Sequence, residues 1–292
     1  ERLAHERLGK PTALAVFASD NLSSSAYATE EILRVLIPAV GVAAFSLVVP
    51  LTGALLGVLA LLILSYRQTI KAYPSAGGAY VVTKDNFGIG LAQVSGVALL
   101  IGYILTVAVS VAAGAAALAS AIPALADFVV PIALLFIVIV SYGNLRGVRE
   151  SGKLFAAPTY FFMVNIAVLL VVGLLRLAAG DLPQAAVEPD MVPAGIGAPD
   201  LLFYGAGIFV MLRAFASGGA AVTGVEAISN GVPAFKEPSW RNARSTLLVM
   251  GVALGVMFLG ISVLAAEVEA RPFIEGTPTV LSQIGKLVYG GG

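Results

Sequence analysis

Apolar residues run along this chain in long blocks separated by short stretches rich in charge, Gly or Pro. Blocks of about 20 apolar residues predict helices that cross a bilayer, because each such helix covers the hydrocarbon thickness. Seven blocks qualify: 12–37, 40–65, 89–118, 128–142, 155–175, 201–232 and 246–266. The segment 69–86, with Pro74, Gly77 and Gly78, is too short and polar to span and predicts a re-entrant loop or a short surface helix. The expected fold class is therefore an all-α polytopic membrane protein.

Charge orients these spans. Of the 17 basic residues, Arg34, Arg176, Arg271 and Lys286 fall in loops on one side, and Arg213 falls inside the sixth span. The other twelve, among them Arg2, Arg7, Arg67, Lys84, Arg146, Arg149, Lys153 and Lys236, fall on the opposite side. The positive-inside rule assigns that richer side to the cytoplasm and places the N-terminus there. The loop 178–200 carries Asp181, Glu188, Asp190 and Asp200 with no Lys or Arg and is expected outside. Seven crossings leave the C-terminal segment outside as well, so the sequence reads as the first part of a longer membrane domain.

Composition agrees: 59% of the residues are hydrophobic and 12% charged, about half the charged share of a soluble domain. With 17 basic and 17 acidic residues there is no basic excess to suggest nucleic acid. Cys is absent, which removes disulfides and thiolate chemistry, and the one His, His5, sits in a charged terminal stretch. No residue set calls for a cofactor. The charged stretch 1–10 and the polar-centred span after it do not match a cleavable signal.

Candidate chemistry lies where polar residues interrupt the apolar blocks. The first span is polar from Ser19 to Ser25 and holds Asp20 near its middle. An unpaired carboxylate at that depth costs a few kcal/mol or more. A broken helix resolves this: an unwound segment including Ser23 and Ser24 would offer carbonyls that join Asp20 and the serine hydroxyls in an oxygen cage for a hard cation or an ammonium group. The alternative is a helix N-cap at a membrane surface. The sixth span contains Ser217-Gly218-Gly219, a poor helix interior, followed by Thr223 and Glu226, which at a spacing of three would share a helical face. A second unwound segment fits there, with Glu226 as a functional carboxylate. A tight helix crossing at the glycines, or an Arg213–Glu226 ion pair, would be structural alternatives. Tyr103, Thr106 and Ser110 of the third span share one face and would turn their hydroxyls into the bundle, unless each bonds its own backbone. Two interrupted spans, five apart, are expected of an inverted repeat of five helices: a first repeat over about 11–178 and the start of a second over about 200–292.

These residues resemble the amino acid–polyamine–organocation superfamily of transporters. Pro74-Ser-Ala-Gly-Gly-Ala-Tyr80 is similar to that superfamily's Pro-x-Gly-Gly-x-Tyr loop between spans two and three. The resemblance implies a LeuT-type fold with discontinuous helices one and six. Within the superfamily, Ser19–Glu30, Tyr103–Ser110 and Thr223–Pro233 look like segments of the KUP-type, KimA-like potassium uptake proteins. That resemblance implies a potassium path lined by Asp20, Tyr27, Tyr103, Thr106, Ser110 and Thr223, with Glu226 as a proton-coupling group. One position departs: Gly102 stands where the potassium group has an aspartate.

The function expected is proton-coupled uptake of a small cation, potassium for preference. The alternative is a proton-coupled amino acid or polyamine permease built on the same broken helices. An enzyme is disfavoured by the lack of Cys, of a catalytic His and of a two-metal carboxylate pattern. The partners expected are the substrate, a proton and the bilayer of the cell membrane, with a homodimer as a further candidate.

Overall fold

Long stretches of Leu, Ala, Val and Ile satisfy their backbone polar groups internally, which in hydrocarbon only a helix or a closed barrel can do. The computed structural model describes residues 7–145, 148–198 and 200–290. Arg2, His5 and Arg146 lie outside the described residues, as do the side chains of Arg149 and Lys153. The described chain is helical with no β-strand; two isolated bridges, Leu8 with Phe235 and Met191 with Phe273, tie distant segments. The helices in order are α1 (Lys10–Phe17), α2 (Ser19–Val40), α3 (Ala44–Ala72), α4 (Gly78–Phe87), α5 (Ile89–Ala121), α6 (Val129–Leu145), α7 (Val148–Ala179), α8 (Ile208–Gly218), α9 (Glu226–Asn230), α10 (Ser239–Glu267) and α11 (Val280–Val288).

Among the described residues, five helical stretches are long and apolar enough to cross a membrane: Ser19–Ala72, Ile89–Ala121, Pro123–Leu145, Leu154–Ala179 and Ser239–Glu267. Seven crossings were expected, and the difference arises at two places. The stretch Ser19–Ala72 counts once although its 54 residues would reach about 80 Å if straight, far beyond a bilayer of about 30 Å. It bends at Gly41, whose φ of 60° ends α2, and a three-residue 3-10 turn leads into α3, which packs back on α2. The sixth block falls short because it is divided into α8 and α9 with irregular chain between them.

Two environments separate the helices. Half of the most apolar window of α10 is buried, against α3, α2 and α7, whereas none of the corresponding windows of α5 and α6 is. The outward residues of α5, such as Leu100, Ile101 and Ile104, form a surface suited to lipid. The buried core runs through Leu22, Ile32, Leu36, Leu55, Leu247, Met250 and Phe258, with hydroxyls at its centre. There Ser262 of α10 bonds Thr29 of α2 at 2.8 Å and Thr52 of α3 at 2.9 Å, all three buried. That node satisfies three hydroxyls with one another where no water is available.

The segment 69–86 resolves into the end of α3, a loop and the short helix α4 over 78–87. This loop shares an end of the bundle with the chain start. Gly78 abuts Asn230 and Ser229, Leu8 bonds the backbone at Ala234 and Lys236, and Arg7 pairs with Glu237 at 2.7 Å. At the other end the loop after α7 bonds Ile37, Val268 and Pro272.

Candidate functional site

The first interruption is a bend, not an unwound segment. Ala18 alone leaves the helical run, with φ −111° and ψ −6°. Ser23 and Ser24, expected in an unwound stretch, lie inside α2. Both hydroxyls donate to the Asp20 carbonyl, at 2.8 and 3.1 Å, and Ser25 donates to the Leu22 carbonyl at 2.7 Å. Serine hydroxyls bonding to carbonyls three and four residues back keep a polar sequence helical. The expected cage of freed carbonyls is therefore absent here, and what α2 offers is side chains. Asp20 sits in its first turn, where a carboxylate complements the helix dipole.

The second interruption is complete and lies further along than expected. Ser217 and Gly218 finish α8, and Gly219 begins a 3-10 turn over Gly219–Val222. Thr223 is extended, at φ −71° and ψ 152°, and Gly224 has φ 81°. Helix α9 starts only at Glu226, so Thr223 and Glu226 do not share a helical face. The glycine that matters is Gly224: its conformation disfavours a side chain, and a Cβ there would lie 2.8 Å from Asp20 Oδ2.

The two interruptions meet. Asn21, fully buried, donates from Nδ2 to the carbonyls of Thr223, at 2.6 Å, and Ala221, at 3.3 Å. It thereby fastens the broken segment to the start of α2 and holds Gly224 against Asp20. Its own Oδ1 is buried without a partner. Sequence reasoning passed over Asn21; its signal was an amide in the middle of an apolar block, beside an acid.

Helix α5 closes a third side. Ser110 Oγ donates to Asp20 Oδ1 at 3.1 Å. Tyr103, seven residues and about 10 Å earlier on α5, accepts at its hydroxyl from Asn230 Nδ2 at 2.6 Å. Thr106 is half-buried between them. Tyr27 joins from α2 through Ser24, hydroxyl to hydroxyl at 2.9 Å. Thr223 is present chiefly as a backbone carbonyl, for its exposed hydroxyl donates to Ala220 O at 2.8 Å. Glu226 is half-buried, and its charge acts on Asp20, Tyr103 and Tyr66 of α3. Among the described residues neither Glu226 nor Arg213, exposed on α8, forms an ion pair, so the Arg213–Glu226 bridge does not form.

The arrangement supplies two carboxylates, several hydroxyls and backbone carbonyls, with no thiolate or imidazole. Oxygen donors of this kind suit hard cations and ammonium groups. Among the described residues no group of three or more His, Cys, Asp or Glu could hold a metal ion. Gly102 is exposed on α5, and a Cβ there would meet nothing within 4 Å, so an acid at this position is sterically free.

Comparison with known proteins places these observations. A family model described as amino acid permease matches residues 8–290. The chain is 45% identical over 285 residues to a protein of Bacillus subtilis (strain 168) named potassium transporter KimA, an alignment covering 98% of this chain and 45% of that protein. The chain thus spans less than half the length of this relative.

Proposed function

We propose, since this chain belongs to the amino acid permease family, that it is the part of a secondary transporter that selects and takes up a small cation, potassium for preference, coupled to proton uptake. The coarse reading, a multi-pass membrane protein of a transport family, follows from the family and the apolar helices. The cation reading rests on one observation above all. Asp20 is held by Ser110 on α5 and flanked by the broken backbone at Gly224, so a carboxylate lies where three elements meet, beside the segment whose Ala221 and Thr223 carbonyls Asn21 holds. The similarity to a protein named a potassium transporter supports the same choice of ion.

In this reading Asp20, Ser110, Tyr27 and the Thr223 carbonyl replace part of the ion's hydration shell. Glu226, whose charge acts on Asp20 and which pairs with no cation among the described residues, takes up and releases a proton as the ion arrives and leaves. Two negative charges in reach of one another repel, so binding a cation at one and a proton at the other relieves both, which is the physical basis for carrying the two together. The α1–α2 bend and the α8–α9 break open the two repeats of an inverted-repeat transporter.

The second reading, an amino acid or polyamine permease, is favoured by Gly102, which leaves α5 one carboxylate short of the potassium pattern. Growth separates the two. The full-length protein should rescue a potassium-uptake-deficient host at limiting potassium, and Glu226→Gln should abolish rescue while leaving a folded protein. Normal uptake by that variant would refute the coupling role, and failed rescue alongside amino acid accumulation in vesicles would establish the permease instead.

A further inference from the structure

The buried acid that the site does not use is Glu30. It is 4% exposed, and each carboxylate oxygen receives one donor. Arg34 Nη2 donates to Oε1 at 2.8 Å, and the backbone N–H of Val280, 250 residues further on, donates to Oε2 at 2.9 Å. Val280 is the first residue of α11, so Glu30 neutralises the first free N–H of that helix. The opposite end is held in kind: Arg176 Nη1 donates to the carbonyls of Leu287, at 2.9 Å, and Val288, at 2.7 Å. A carboxylate at the N-terminus and a guanidinium at the C-terminus both complement the helix dipole. Val280, Ile284 and Val288 form the buried face of α11, and Thr279 N–H donates to Ser120 Oγ of α5 at 3.0 Å. Helix α11 is thus a strap fastened to α2, α5 and α7.

The strap forms part of a cavity wall. A cavity of about 620 Å³ is lined by Tyr27 and Ser110 of the candidate site, and also by Glu30, Gly276, Thr279 and Leu281. Glu30 and Asp20 belong to the same continuous helix, ten residues or about 15 Å apart. A displacement of α2 at Asp20 is therefore felt at Glu30.

We infer that Glu30 is a positioning residue for the transport path: by holding the Val280 N–H it keeps α11 in place as a wall of the cavity leading to Tyr27 and Ser110, and a shift of α2 releases it. The inference rests on the transport reading, with the strap itself testable without transport.

The chain has no cysteine, so Ala113→Cys places one thiol in the cavity wall. The test measures its labelling rate by a polar methanethiosulfonate on the full-length protein, otherwise cysteine-free, in detergent. Glu30→Ala removes the acceptor. Val280→Pro removes the donor without touching Glu30, at a first-turn position where Pro fits a helix and after a residue already extended, at ψ 156°. Both should accelerate labelling about tenfold or more, as expected for losing a hydrogen bond to a charged group. Glu30→Gln, which keeps an acceptor oxygen, should stay much nearer the parent rate. Parent-like rates in both Glu30→Ala and Val280→Pro would overturn the inference. So would acceleration by Glu30→Ala alone, because the Arg34 contact would then be responsible. If labelling behaves as expected but the parent takes up no potassium, the strap stands and the cation reading falls.

Discussion

The two interrupted segments differ in kind, although both are polar blocks inside apolar spans. Around Ser19–Ser25 the chain carries hydroxyls that bond back to its own helix, so α2 continues and only Ala18 bends. Around Gly219–Val225 the chain has small residues with little to bond back, and it leaves the helix at Thr223 and Gly224. Polarity inside a membrane span is thus not itself a signal for unwinding. What decides is whether the polar groups can be satisfied within the helix or only by a partner outside it. Here the partner is Asn21, so the regular region holds the irregular one in place.

This contrast can be broken first at Gly224. Gly224→Ala puts a methyl group at φ 81° and against Asp20 Oδ2. It should cost about 1–3 kcal/mol in backbone strain and abolish uptake, read by thermal denaturation in detergent and by ion flux; parent-like values in both would show that the break tolerates a side chain. Next in size is Asn21→Ala. It leaves the carbonyls of Ala221 and Thr223 without their buried donor, a loss of about 1–3 kcal/mol, and should reduce cation affinity more than maximal rate. The smallest effect is expected of Ser25→Ala. Its hydroxyl only repeats a bond to Leu22 O inside a helix that is already formed. Stability should change by about 0.5 kcal/mol or less; a large loss of melting temperature would mean that the serines, not the backbone, hold α2 together.

Much of the fold was legible because long apolar blocks leave a helix as the open chain's solution in lipid. The blocks at 89–118, 128–142, 155–175 and 246–266 coincide with α5, α6, α7 and α10 within a few residues at most ends. The longest misjudged ends are the starts of α7 and of α10, which begin at Val148 and Ser239, the latter directly after Pro238. The residue types of the candidate site were legible, but not their connections. Asp20 and Ser110 do meet, while Tyr103 turns to Asn230 and the Thr223 hydroxyl turns back on its own segment. Hydroxyls have two or three partners within reach in any packed bundle, and residue type does not choose among them. Asn21, Asn230 and Glu30 escaped notice for the same reason: each makes a hydrogen bond to a residue distant in sequence.

By itself, then, the sequence determined that this chain is a set of membrane helices, and that the polar groups interrupting two of its apolar blocks are oxygen donors. Those properties depend on local hydropathy and residue type, which act through the bilayer and need no particular neighbour. Only the tertiary structure decided where the chain breaks and that Asn21 joins the two breaks. It also decided that Glu30 reaches the first N–H of α11. Each of these is settled by whether a buried polar group finds a partner, and in a low-dielectric interior that partner can sit 200 or 250 residues away along the chain.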